Sequence, residues 1–71
     1  MKKFWVVIEY NVNADSCSAY VENYQDNAIV CAGTNLASIK NNILSALNFC
    51  LRTDGKESVG WSNISFDTYF I

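Results

Sequence analysis

Histidine and proline are both missing from this chain of 71 residues, which holds only three glycines, three cysteines and five basic side chains. Without histidine, a serine or cysteine nucleophile has no imidazole base to activate it, and a common nitrogen ligand for zinc is gone. Cys17, Cys31 and Cys50 are odd in number, widely spaced and free of any CxxC pair. That spacing fits neither a disulfide framework nor a zinc ribbon, so the three read as buried, inert thiols. The glycines at positions 33, 55 and 60 are too scattered to cradle a phosphate, and no GxGxxG or P-loop occurs. No catalytic residue, cofactor site or metal site is therefore expected. Without proline there is also no proline-rich linker, and neither a repeat nor a low-complexity tract appears, so residues 1–71 read as one domain.

Positive charge is sparse. Lys2, Lys3, Lys40, Arg52 and Lys56 form no run beyond the first pair, and the formal net charge is −2 with a pI near 4.7. Nucleic-acid binders show a concentrated basic patch, which this sequence lacks. A mildly acidic surface suits a basic protein partner better. Long apolar runs are lacking as well. Phe4 to Ile8 is ended by Glu9, too short for a signal segment, and nothing approaches the roughly 18 apolar residues of a membrane span. The reading is a cytoplasmic protein with reduced thiols and no membrane partner.

What the chain has is apolar surface: 51% of residues are hydrophobic and 14% aromatic, a heavy load for so little interior. A domain this small needs help to be stable, and with disulfides and metals set aside the remaining route is a homo-oligomer, a dimer or larger.

Phe4 to Asn11, FWVVIEYN, is rich in β-branched and aromatic residues and ends at the polar turn Asn13 to Ser16, which predicts a first strand. Cys17 to Tyr24 alternates Cys17, Ala19 and Val21 against Ser18, Tyr20 and Glu22, the period of a half-buried strand, closed by Gln25-Asp26-Asn27. Ala28 to Ala32 is short and continuously apolar, a third strand ended by Gly33, whose backbone freedom permits angles other residues avoid. Asn35, or Thr34 beside it, can cap a helix. At about 100° per residue, Leu36, Ile39, Ile43, Leu44, Ala46, Leu47, Cys50 and Leu51 share one stripe, into which Lys40 falls, while Phe49 projects from the polar side. Asp54-Gly55 suits a helix stop, a polar loop containing Trp61 follows, and Ile64 to Ile71 alternates as a fourth strand.

The expected fold is α+β in the order βββαβ, with one helix packed on one face of a four-stranded mixed sheet. If Phe4, Val6, Ile8, Ile64, Phe66 and Phe70 face the helix, alternation sends Trp5, Val7, Tyr20, Tyr69 and Ile71 to the open face. Trp5, Val7, Tyr20 and Tyr69, with Phe49 as a second contact, are the candidate partner or dimer interface.

FWVVIEYN, the hairpin into SAYVENY, and IVCAGTNLASIKNNILSALNFCL together resemble the N-terminal domain of HicB-type antitoxins, a partial ribonuclease-H-like fold of the same element order. The resemblance covers most of the chain and rests on Gly33, Asn35, Leu36, Ala46, Leu47 and Leu51. It departs from the family's pattern in NYQDNAIV, which has no proline-containing turn, and in Ala37 and Ser38, which stand where acidic residues are common. The family often continues into a DNA-binding module, and none is read in residues 1–71. The resemblance implies a non-enzymatic interaction module that self-associates and blocks a small basic toxin of the mRNA-interferase type, with no direct DNA binding by this chain alone.

Other readings are a stand-alone structural homodimer, a single-strand nucleic-acid binder that stacks bases on Trp5, Tyr20 and Tyr69, and a metal-dependent nuclease built on Glu9 and Asp67. The nuclease lacks a carboxylate anywhere in the helix, and the nucleic-acid reader lacks a basic groove.

Overall fold

A computed structural model describes residues 3–24 and 29–71. In chain order it contains β1 (Phe4–Asn11), β2 (Ser16–Val21), β3 (Val30–Gly33), α1 (Leu36–Thr53), a 3-10 turn (Trp61–Asn63) and β4 (Ile64–Phe70). The strands form one sheet in the order β3-β2-β1-β4. Neighbours β1, β2 and β3 are antiparallel, whereas β4 runs parallel to β1, so α1 is the crossover that carries the chain between the sheet's two edges. The result is the expected βββαβ order, one helix on one face of a mixed four-stranded sheet.

The first hairpin turns on local chemistry. The Asn11 side-chain carbonyl accepts from the amides of Asn13 and Ala14, both at 3.1 Å, and Asp15 takes the left-handed conformation with φ 49°. Short polar side chains tolerate that region, which is why Asp stands at the last turn position.

Strand β2 is shorter than the expected Cys17–Tyr24. The Asn23 side chain accepts from the Trp5 amide at 2.9 Å and donates to the Lys3 carbonyl at 3.0 Å, occupying the place of a further strand residue beside β1. Tyr24 then turns inward and is buried. The expected turn at Gln25–Asn27 and the start of the third strand at Ala28 lie outside the described residues. The continuously apolar look of the third strand has a different cause from burial on both faces: β3 is an edge strand with Val30 exposed. Gly33 closes it without a positive φ, so the expected use of glycine's backbone freedom falls at Gly55 instead, with φ 75°.

Asn35 caps α1, its side chain accepting from the Ser38 amide at 3.1 Å. At the other end the Gly55 amide donates to Arg52 at 3.1 Å and the Lys56 amide to Leu51 at 2.8 Å, the paired bonds of a Schellman stop. Ile39, Ile43, Leu47 and Leu51 point into the core against Phe4, Val6 and Ile8 of β1, Cys17, Ala19 and Val21 of β2, and Ile64. Cys17 is buried, Cys31 and Cys50 are half-buried, and all three are free thiols.

The helix lies over β2 and β3. On its side of the sheet the β4 half is left thinly covered: Phe66 is half-buried and Phe70 is 65% exposed. Lys40, which falls in the apolar stripe of the helix, holds its ammonium 5.1 Å from the Phe66 ring centre, a cation–π distance. No described helix is long and apolar enough to cross a membrane.

Candidate interaction surface

Strand register fixes what the helix-free face presents. Val7 pairs with Tyr20 on β2 and Asp67 on β4, and Tyr20 with Val30 on β3, giving a row Val30, Tyr20, Val7, Asp67 across the sheet. Glu9 pairs with Ser18 and Tyr69, and Ser18 with Ala32, giving a second row. Because side chains alternate across a strand, all of these project to the same side, together with Trp5, Ser65 and Ile71.

Four predicted interface residues therefore do share one face. Trp5 is 44% and Tyr69 56% exposed, Tyr20 is half-buried, and Val7, on the central strand, is buried as the floor between its neighbours. Phe49 is not part of this patch. It stands 64% exposed on α1, which belongs to the other layer.

The charge of this face is one-sided. Glu9 and Asp67 are exposed upon it, and Glu22 lies beside Trp5, whose carbonyl accepts from the Glu22 amide at 2.7 Å. No strand residue that projects here is a lysine or arginine. Glu9 and Asp67 are diagonal rather than side by side, since Glu9 faces Tyr69 and Asp67 faces Val7. Among the described residues no group of three or more His, Cys, Asp or Glu gathers as a metal-binding set.

On the helix side, sequence reasoning missed the residues that hold the long loop. The Asn48 side chain accepts from the Val59 amide at 2.7 Å and donates to the Val59 carbonyl at 3.0 Å, and is half-buried as a clamp on the loop. Beneath the loop is an open cleft of about 340 Å³, with Phe4, Leu51, Val59 and Asn63 in its walls. Trp61, in the polar loop, leans on Phe66 with ring centres 6.0 Å apart and keeps 48% of its surface exposed. A second aromatic pair, Tyr10 and Phe70, lies farther along β4 at 6.0 Å.

Comparison with protein-family models, with curated proteins and with solved structures found no match.

Proposed function

We propose that this chain works by contact and not by catalysis: a HicB-like, antitoxin-like cytoplasmic module that self-associates and binds a small basic toxin on its helix-free face. The observation that carries this reading is the composition of that face. It offers Trp5, Tyr20 and Tyr69 as apolar contacts beside the carboxylates of Glu9 and Asp67, with no cation among the strand residues that project there. Aromatic anchors surrounded by charge of one sign suit a protein surface of opposite sign, which the carboxylates would steer and orient. A toxin of the mRNA-interferase type must hold RNA phosphates and so carries such a basic surface. The resemblance of FWVVIEYN and of GTNLASIKNNILSALNFCL to the HicB pattern supports the same reading, as does the order βββαβ.

The same face argues against a single-strand nucleic-acid binder. Bases could stack on the aromatics, but the phosphates would meet carboxylates and no strand cation. A stand-alone homodimer joined through these faces would bury Trp5 and Tyr69 while setting the like-charged Glu9 and Asp67 of both copies close together.

The test is neutralisation. The reading expects a small basic protein to be encoded beside the chain; the two are co-expressed, and relief of growth arrest is scored for the wild type and for Trp5→Glu. Relief by the wild type that the substitution abolishes supports the reading. The absence of any relief, together with no complex between the two purified proteins, overturns it.

A further inference from the structure

The outer edge of β4 is open in a way that the other edge is not. The Ile71 amide donates to the Tyr10 carbonyl at 2.8 Å, and the Ile71 carbonyl accepts from the Val12 amide at 2.9 Å. Main-chain groups alternate in direction along a strand, so Ser65, Asp67 and Tyr69 also bond towards β1, and Ile64, Phe66, Thr68 and Phe70 point theirs outward. In the described sheet β4 has β1 as its only neighbour. Edge strands are commonly blunted by lysine, proline, a bulge or brevity. β4, reading ISFDTYF over seven residues in unbroken register with β1, has none of these. The opposite edge, β3, is only four residues long.

Such a strand can pair with a copy of itself, and its own residues select the register. In a two-fold antiparallel pair the axis must pass through a residue, because only then do outward groups meet outward groups. An axis at Asp67 would set two carboxylates directly opposite each other, which is destabilising. An axis at Phe66 would leave exposed Phe70 opposite Ser62, outside the strand, whereas an axis at Thr68 leaves out Ile64, which the core already buries. An axis at Thr68 sets half-buried Phe66 opposite exposed Phe70 of the second copy on the helix side, which α1 covers only thinly there. On the other face it sets Asp67 opposite Tyr69 of the second copy, a carboxylate beside a phenol that can donate to it. We infer that the chain dimerises edge to edge through β4, antiparallel about Thr68, into one continuous eight-stranded sheet.

This rests on the self-association part of the proposed function and names the surface that carries it. A two-fold axis perpendicular to the sheet puts both helix-free faces on one side, so the acidic aromatic face is doubled in area and stays open to a basic partner. The helix-side pairs Tyr10–Phe70 and Trp61–Phe66, of which Phe70 and Trp61 are exposed, gather along the seam.

The experiment combines light scattering with amide exchange followed by NMR. The wild type should weigh twice the 8.0 kDa of the chain, and the amides of Phe66, Thr68 and Phe70 should exchange about tenfold or more slowly than in dilute, monomeric protein. Thr68→Lys, which sets two ammonium groups face to face at the axis, and Thr68→Pro, which deletes an outward donor but no bond to β1, should both give folded monomers by circular dichroism. Trp5→Glu should remain a dimer. A wild-type monomer overturns the inference, though a monomer that still neutralised its basic partner would leave the contact function standing. A dimer that survives both Thr68 substitutions but splits on Trp5→Glu also overturns it, and points to association through the sheet face.

Discussion

The Tyr24 hydroxyl donates a hydrogen bond to the Asp54 carboxylate, joining the turn after β2 to the C-cap of α1 across 30 positions of sequence. The ring is buried, stands edge-on to Phe4 at 5.7 Å, and lies under the Lys56 ammonium at 5.2 Å. One side chain thus packs the core with its ring and anchors the helix end with its hydroxyl. Tyr24→Phe keeps the ring and should cost about 1.5–3 kcal/mol, the range for a hydrogen bond to a charged group. Tyr24→Ala also opens a cavity and should cost about 3–5 kcal/mol, enough to unfold much of a domain this size. Urea unfolding of the two variants measures both values; equal losses would mean that the ring contributes nothing beyond the bond.

Gly55 and Gly60 follow the helix in the same loop but answer to different constraints. Gly55 holds φ 75° at the Schellman stop, where a side chain is strained, although nothing lies within 4 Å of where its Cβ would sit. Gly60 is extended, with equally open space around it. Gly55→Ala should therefore destabilise by about 1 kcal/mol, a fall of roughly 4–8 °C in Tm for a domain of this size, while Gly60→Ala should be neutral or slightly stabilising. Thermal melts of both decide it, and equal shifts would refute the backbone argument.

These examples show what was legible in the sequence. The limits of β1, the Asn35 cap, the Asp54-Gly55 stop and the buried set Ile39, Ile43, Leu47 and Leu51 follow from local propensity and period, and the structure has them in place. Tyr24 and Asn48 were not legible, because each is defined by a partner that no periodicity connects: Asp54 for one, Val59 for the other. Nor does period say which half of a sheet a helix covers, so Phe70 lies on the expected face yet is exposed. For the candidate surface, alternation grouped Trp5, Val7, Tyr20 and Tyr69 correctly on one face. It could not rank them by depth, and it could not separate them from Phe49, which lies on the other layer.

Ionisation gives a test that is independent of folding assays. The hydrogen bond from the Tyr10 hydroxyl to the Asp15 carboxylate, 2.6 Å long, raises the phenol's pKa above its ordinary 10.0, with a small desolvation effect and the carboxylate's charge acting in the same direction. A raised folded-state pKa means that the neutral phenol is favoured by folding. The stabilisation is complete below the unfolded-state pKa near 10 and is lost as pH rises through the higher folded-state value. Ultraviolet titration, with Tyr10→Phe to identify the Tyr10 step, should show that phenol ionising late in the wild type. In Asp15→Asn that delay should shrink; if it persists unchanged, the carboxylate is not its cause.

Cys31 provides a comparison among the thiols. Desolvation on the helix side of β3 raises its pKa above 9.0, so little thiolate is present near neutrality. Iodoacetamide at neutral pH should label Cys31 more slowly than free glutathione, and buried Cys17 should be labelled only as the domain opens. Mass spectrometry of the peptides separates the sites. Rapid labelling of Cys31 in the folded protein would mark it as reactive and would contradict the reading of the cysteines as inert packing residues.

Glu9 and Asp67 allow stability and contact to be tested apart. Both are exposed, and neither belongs to the buried core, so Glu9→Lys combined with Asp67→Lys should change the folding stability of the single chain by less than about 1 kcal/mol. The same pair reverses the sign of the helix-free face at its centre. If that face receives a basic protein, the double variant should keep the wild-type circular dichroism spectrum yet lose neutralisation, while its melt falls to that of the Thr68→Lys monomer because Asp67 also lies in the β4 seam. Wild-type binding should weaken as salt is raised, because the exposed charges that steer association are screened beyond about 8–10 Å. Asp67→Asn alone, which removes one charge without adding another, should give an intermediate loss. A double variant that still neutralises at wild-type level would move the contact away from these strands, and the exposed helix side around Phe49 would be the next surface to test.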